Sequence, residues 1–339
     1  MRIEQFDPGA DEARLRACHE MAVSGHAEDD PNIPAISFEA FRGWWIYGFV
    51  GEPRQIWLAS TDSGVPLGAY DLSLPVRENR GIGFIDLQVA LSARRRGIGT
   101  ALLAHAADQA DSAGRTLLSS NARVGSPGDA FASAAGAKSG LQDARRVLDF
   151  GPGLSARLPL LRAAAEPRAA GYRLRRWSGP VPEDVVGSAC ALYTAMEDAP
   201  HDEGVEPMRW DPAMVRAAEE REIAQGLRTH SVAAMQETSA EMAALTQVSI
   251  DPAIDGWAFQ EITAVTRPHR GHRLGLLVKV VMLEWLAELE PQVRQIVTYN
   301  AVQNEHMVAV NAELGHRISD YFQSFELDVA AARKLIGSR

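Results

Sequence analysis

At 339 residues the chain is long enough for two domains of ordinary size, each able to bury its own core. With 46% hydrophobic and 23% charged residues it has a soluble globular composition, and no apolar run approaches a membrane span. Its net charge of −10 argues against a general nucleic-acid binder and suits a cationic or amine substrate.

In chain order, Arg2 to Phe6 is a short predicted strand, followed by a helix from Asp11 to Val23 with Leu15, Cys18, Met21 and Ala22 on one face. Phe38 to Phe49 reads as an aromatic-rich helix whose Trp44, Trp45 and Tyr47 suit core packing better than a substrate cage. Gln55 to Ser60 and Pro66 to Leu74 are strands joined by the turn Thr61-Asp62-Ser63-Gly64. Gly83 to Ala90 is a strand and Gly99 to Ala113 a helix, closed by Gly114. Thr116 to Ser120 (strand), Asp129 to Ala135 (helix) and Arg145 to Phe150 (strand) complete a first domain over residues 1–150. Residues 151–170 read as a linker with a helical piece in Leu158 to Ala165.

The same order then recurs over 171–330. Tyr172 to Trp177 is a strand, and Glu183 to Glu197 and Pro212 to Gln225 are helices. His230 to Met235, Met242 to Ser249 and Ala258 to Val265 are strands. Leu274 to Leu289 (helix), Gln295 to Asn300 (strand), Asn304 to Leu314 (helix) and Tyr321 to Leu327 (strand) follow. The predicted class is α/β (α+β), with two tandem domains, each a mixed, mainly antiparallel sheet flanked by helices. Cys18 and Cys190 sit at equivalent places and read as small core residues, with no metal site implied. The N-terminal residues lack the basic-then-apolar order of a secretory signal, so a cytoplasmic protein is expected.

The repeat is visible in the letters. Val89 and Val265, and likewise Gly99 and Gly275, are separated by 176 positions; Asn121 and Asn300, and Gly136 and Gly315, by 179. Such a period indicates two copies of one domain rather than a solenoid. Both copies place a strand, a basic glycine-containing turn and a helix start in succession: Val89 to Thr100, and Val265 to Leu276. The unpaired amides and dipole of a helix's first turn make that corner an anion site. Gly97 and Gly99 allow close backbone approach, and Arg94, Arg95 and Arg96 add positive charge. Neither copy has the lysine and spacing of a P-loop, and Leu102 stands where a dinucleotide fingerprint needs its third glycine.

On these residues the chain resembles the GNAT superfamily of N-acetyltransferases. Its turn, Q/R-x-x-G-x-G/A, is matched by Arg94-Arg95-Arg96-Gly97-Ile98-Gly99 and, with Arg273 in place of the first glycine, by Arg270-Gly271-His272-Arg273-Leu274-Gly275. The family's later N…L-G-F signature is similar to Asn304…Leu314-Gly315-His316. The likeness covers nearly all of both halves, so the chain resembles tandem members such as mycothiol synthase-like proteins. It implies that the amides of Ile98, Gly99 and Thr100, or of Leu274, Gly275 and Leu276, hold the pyrophosphate of acetyl-CoA or another acyl-CoA. It also implies that the strand ending at Val89, or at Val265 and Thr266, splays to receive the pantetheine arm, with Arg270, His272 and Asn304 near the cofactor. A non-glycine at 273 is expected to exclude a positive-φ turn while its guanidinium grips a phosphate.

Transfer to an amine needs a held thioester, a deprotonated amine and a stabilised oxyanion. The resemblance points to Glu261 as the base, and the period of two places it on the face of Val265. Ile85 occupies that place in the first copy, with Asp86 facing the other way. The family's tyrosine for the leaving thiolate corresponds to Ala132 and Asn311, and Asn311 offers at most a hydrogen bond. The second copy is therefore expected to be catalytic and the first a scaffold, with or without retained CoA binding. His201-Asp202-Glu203 reads as a solvated loop or as an attractor for a cationic acceptor. The expected function is acetyl-CoA-dependent N-acetylation of a small-molecule amine by a monomer or homodimer. The alternatives are a silent CoA-binding sensor or a protein N-acetyltransferase.

Overall fold

The computed structural model describes residues 1–52 and 54–335. The chain forms two compact units that do not coincide with its two halves. The first comprises Met1–Gln142, Asp202–Glu206 and the chain from Tyr321 onward; the second comprises Asp143–His201 and Pro207–Asp320.

The first unit contains β1 (Arg2–Phe6), α1 (Glu12–Asp29), α2 (Phe38–Tyr47), β2 (Gln55–Ser60), β3 (Pro66–Ser73), β4 (Ile82–Val89), α3 (Ile98–Ser112), β5 (Leu117–Arg123), α4 (Pro127–Ala134) and the start of β6 (Lys138–Asp149). The second contains the rest of β6, α5 (Pro152–Ala165), β7 (Tyr172–Ser178), α6 (Val186–Met196), α7 (Pro212–Ala224), β8 (Arg228–Gln236), β9 (Met242–Ile250), β10 (Trp257–Val265), α8 (Leu274–Leu289), β11 (Gln295–Ala301), α9 (Glu305–Leu314) and the start of β12 (Arg317–Asp328). The remainder of β12 and α10 (Val329–Arg333) return to the first unit.

Side-chain oxygens set several helix starts. Asp11, Ser37, Ser126, Asp211 and Asn304 each accept from the amide three residues on, satisfying donors that the helix leaves open. Helix α8 is buried along its first ten residues, Leu274–Leu283, where only Lys279 interrupts the run of apolar residues and glycine, and its last turn, Ala287–Leu289, is exposed.

In the first unit the strand order is β1-β2-β3-β4-β5-β12, antiparallel except for β4–β5. In the second it is β6-β11-β10-β9-β8-β7, antiparallel except for β10–β11. The last strand of each sheet is thus supplied by the other sequence repeat. Phe322–Asp328 pair with Leu117–Arg123, whereas Asp143–Asp149 pair with Gln295–Ala301. The boundary expected at residue 150 is corrected accordingly, because strand pairing overrides sequence order. The expected linker is corrected too. Residues Pro152–Ala165 form a helix despite the internal Pro159, because Leu154, Leu158 and Ala165 are buried in the core that packs α8.

Each sheet carries a core on both faces. In the first unit, α3 covers Tyr70, Leu72 and Ile85, while α1 and α2 cover Phe6, Ile56 and Ala69. In the second, α8 and α5 cover Ala244, Val248 and Ala258, while α6 and α7 cover Leu245, Ile262 and Ala264. Cys18 and Cys190 are free thiols buried in these cores. Among the described residues no helix is long and apolar enough to cross a membrane.

Candidate functional site

In both units the strand, turn and helix succession has the same backbone path. Two left-handed residues occur two positions apart: Arg95 (φ 61) and Gly97 (φ 80) in the first unit, Gly271 (φ 86) and Arg273 (φ 54) in the second. Glycine and arginine have exchanged places. The expectation that Arg273 excludes a positive-φ turn is therefore corrected, since it starts α8 in the left-handed region while Gly271 supplies the freedom two residues earlier. A left-handed non-glycine residue costs about 1–2 kcal/mol. The half-exposed Arg273–Glu313 ion pair contributes at most about 1 kcal/mol. Arg273→Gly is expected to leave stability unchanged or slightly raised, whereas Gly271→Ala lowers it by about 1–2 kcal/mol. Urea unfolding of the two variants reads this, and equal losses in both would refute the backbone argument.

The space above these turns is open, since a Cβ added at Gly97 or Gly271 would meet nothing within 4 Å. Leu274 and Leu276 bury their side chains and Ile98 packs on the core, so what these residues, with Gly99, Thr100 and Gly275, offer a ligand is mainly backbone. Arg95 and Arg96 are exposed and, among the described residues, form no ion pair. The other arginines have structural partners. Arg94 donates to the Val89 carbonyl (3.3 Å) and, in a fork, to Asp29 (2.8 and 2.6 Å). Arg270 donates to the Val265 carbonyl (3.2 Å) and to Asp198 (2.7 Å), where Arg267 joins it (2.8 Å). The first arginine of each motif therefore ties the strand end to the chain leaving the first helix, rather than standing free for a phosphate. Arg273 is held by Glu313, His272 lies 3.2 Å from the Arg168 carbonyl, and Thr266 donates to Ala243.

Beside each turn two parallel strands part. β4 and β5 pair only at Ile82–Leu117, Gly83–Leu118 and Phe84–Ser119, and β10 and β11 only at Trp257–Gln295, Ala258–Ile296 and Phe259–Val297. Beyond Phe84 and Phe259 that side of β4 and β10 faces no strand among the described residues. An extended ligand can satisfy the backbone groups there, as in strand addition.

A bulge reshapes β10. Gln260 pairs with Val248 and Ile262 with Gln247, leaving Glu261 as the extra residue. It also reverses the alternation: Ala258 and Val265 pack toward α8, but Ile262 and Ala264 pack toward α6 and α7. The expectation that Glu261 shares the face of Val265 is thereby corrected. Glu261 accepts a hydrogen bond from Ser249 Oγ, on the face covered by α6 and α7. The residue is exposed as a whole, but burial of its carboxyl raises its pKa, partly opposed by Ser249 and Arg221. Glu222 on α7, within 3.4 Å of Gln247 Nε2, is pushed up to about 7 by burial and then by the Glu261 charge. Tyr193 on α6 stacks on Trp210 (4.7 Å), and its hydroxyl is held protonated by burial and these carboxylates. Sequence reasoning missed Glu222, Tyr193 and Ser249. The one signal was the acidic run Glu219-Glu220-Arg221-Glu222 in a helix facing the sheet.

Asn304 caps α9, accepting from the Met307 amide (3.2 Å). Asn311 is fully buried, and its amide is committed: Oδ1 accepts from Lys279 Nζ (2.8 Å) and Nδ2 donates to Asn300 (3.1 Å), which also accepts from Arg146 (2.7 Å). Burial brings the Lys279 pKa down to about 7. The hydrogen bond expected from Asn311 to a leaving sulfur is thus spent inside the helix layer. Asp202 accepts from the Leu141 amide and, at 2.9 Å, from Ser324 Oγ, so it closes the first unit rather than standing ready for a cation. Trp45 is buried against Phe41, and Trp44 lies 4.6 Å beneath the Arg54 guanidinium.

Residues 15–124 match the acetyltransferase (GNAT) family. The whole chain is similar to a tandem GNAT protein from the clavulanic acid biosynthesis pathway, with 27% identity, 97% of this chain and 98% of that chain covered, and a TM-score of 0.81. It shares its fold with a GCN5-related N-acetyltransferase from Sphaerobacter thermophilus, at 15% identity, 97% and 95% coverage and a TM-score of 0.63. No curated protein matches in sequence.

Proposed function

We propose that the chain, which matches the GNAT family over residues 15–124 and is similar over nearly its whole length to a tandem GNAT protein, uses its second unit to transfer an acyl group from acetyl-CoA, or another acyl-CoA, to the amine of a small molecule. The observation that carries this reading is the position of Glu261, on a bulge two residues past the point where β10 and β11 part. A bound acyl-CoA supplies the activated carbonyl. The amides of Leu274, Gly275 and Leu276 and the dipole of α8 suit its pyrophosphate, and the free side of β10 suits its extended arm.

On the opposite face, Glu222 and Glu261 favour a cationic amine. An alkylamine with a pKa near that of lysine, about 10.4, is almost wholly protonated at neutral pH. A carboxylate held above its usual range, as burial holds Glu261, takes that proton more readily than an ordinary glutamate. The nitrogen then attacks the carbonyl, the carbon–sulfur bond breaks and CoA departs as thiolate. A thiolate is a stable leaving group, so the commitment of Asn311 leaves the reaction feasible.

Thiol release from acetyl-CoA across a panel of primary amines, beside calorimetry with CoA, tests the reading. Amine-dependent release is the expected result. CoA binding without release across the panel would replace the transferase with a CoA-sensing protein.

A further inference from the structure

We infer that the first unit is a second acyl-transfer centre, in which Asp86 accepts the proton of a small primary amine bound on the α1/α2 face of its sheet. The inference rests on the transferase reading of the second unit and extends it to a unit whose letters suggest a scaffold.

The register carries the argument. β4 has no counterpart to the β10 bulge: Leu72 pairs with Ile85, Asp71 with Asp86 and Tyr70 with Leu87 in unbroken succession. Ile85 points into the α3 core, so it does not occupy the place of Glu261. Asp86 takes the opposite face, where α1 and α2 pack, and stands two residues beyond Phe84, the last residue paired with β5. Glu261 stands two residues beyond Phe259, the last residue paired with β11. Each unit therefore sets a carboxylate about 7 Å along the strand from its opening, on the helix face away from the turn-bearing helix.

The surroundings of Asp86 repeat the arrangement with different residues. Asp71 lies directly opposite on β3, and facing like charges are unfavourable in a sheet. Arg54 pairs with Asp71, and the Asp71 carboxyl is raised to about 7 by burial. The ion pair of Arg54 is with Asp71, and Asp86 feels the same guanidinium only through its charge. Asp86 is exposed; burial of its carboxyl raises its pKa, opposed by the Arg54 charge and by a hydrogen bond from the Leu87 amide, and among the described residues it forms no ion pair of its own. An exposed carboxylate beside a strand opening, facing a second carboxylate that holds the ion pair with Arg54, is placed to receive an ammonium group. The same strand leads through Val89 into the turn with open space above Gly97 and exposed Arg95 and Arg96.

In the step assigned here the amine nitrogen bonds to the thioester carbonyl carbon, the carbon–sulfur bond breaks with its electron pair leaving on CoA, and the amine proton passes to the Asp86 carboxylate. The test compares thiol release from acetyl-CoA, with methylamine, lysine, arginine and spermidine as probes, in the wild type, Glu261→Gln, Asp86→Asn and the double variant. Each single variant is expected to lose the share of turnover carried by its own unit and to keep the share carried by the other, whereas the double variant falls by at least about a hundredfold. In the Glu261→Gln background, Arg95→Glu is expected to raise the KM for acetyl-CoA while Asp86→Asn lowers kcat. Thermal unfolding confirms that Asp86→Asn, which relieves the repulsion with Asp71, remains folded. Loss of turnover in Glu261→Gln to the level of the double variant would overturn the second centre and leave the transferase reading intact. Absence of amine-dependent release in the wild type would overturn both.

Discussion

Replacing Glu261 with glutamine is expected to lower turnover at the second unit by about 10²- to 10⁴-fold while CoA binding is retained. The substitution keeps the shape and the hydrogen bond from Ser249 but removes the group that takes the proton. The base acts when deprotonated, so activity falls as pH falls. Because burial raises Glu261 and its neighbour Glu222 lies near 7, the acid limb of kcat/KM is expected above the ordinary carboxylate range. Glu222→Gln is the informative companion. It removes the carboxyl that burial and the Glu261 charge push up to about 7, so the limb shared by the pair moves to lower pH while activity at pH 8 is largely kept. Stability gives a second sign. A carboxyl whose folded pKa lies above its unfolded value loses stability as pH rises from about 4.5 to about 7. Glu222→Gln is therefore expected to melt above the wild type beyond pH 7 and to converge with it below pH 4.5. An acid limb identical in wild type and Glu222→Gln would remove the coupled pair from the mechanism.

Deleting the chain from Tyr321 onward is expected to unfold the first unit and spare the second. The deletion removes the strand beside β5 and the buried Phe325, Leu327, Val329 and Ala332. Three large side chains at about 1.5–3 kcal/mol each amount to about 5–9 kcal/mol, comparable to the whole stability of an ordinary domain at about 5–15 kcal/mol. The second sheet keeps all six of its strands, because its outer strand comes from Asp143–Asp149. A fragment of residues 1–150 lacks the same partner and is expected to fail likewise, and a peptide spanning Tyr321–Leu335 is expected to restore it. Limited proteolysis with circular dichroism follows both. A 1–150 fragment that melts cooperatively at the temperature of the intact protein would show that the exchanged strand is dispensable.

Much of the fold was legible because its signals are local. The period of 176 positions, the apolar faces and the glycine-ended helices placed most elements of both copies. The turns were legible for the same reason, since an anion corner is built from consecutive residues. What escaped was set by pairing across the sequence. A bulge exists only in the register of β10 against β9, and alternation counted from Val265 therefore put Glu261 on the wrong face. The same count made Ile85, rather than Asp86, the counterpart of Glu261. Glu222 and Tyr193 arrive from helices far from the motif strand, with no spacing to announce them. Asn311 shows a different limit: its place four residues before Gly315 is plain in the letters, but its hydrogen-bonding capacity is already taken by Lys279 and Asn300.

The traded outer strands also fix an order of events during synthesis. A ribosome releases residues 1–142 first, yet the sheet they form lacks its sixth strand until Phe322–Asp328 emerge. At roughly 5–20 residues per second, that wait is on the order of ten to forty seconds. Meanwhile β5 presents an open edge, the kind of surface that invites pairing with another nascent chain. Of the two units, the one begun earlier is the one completed later.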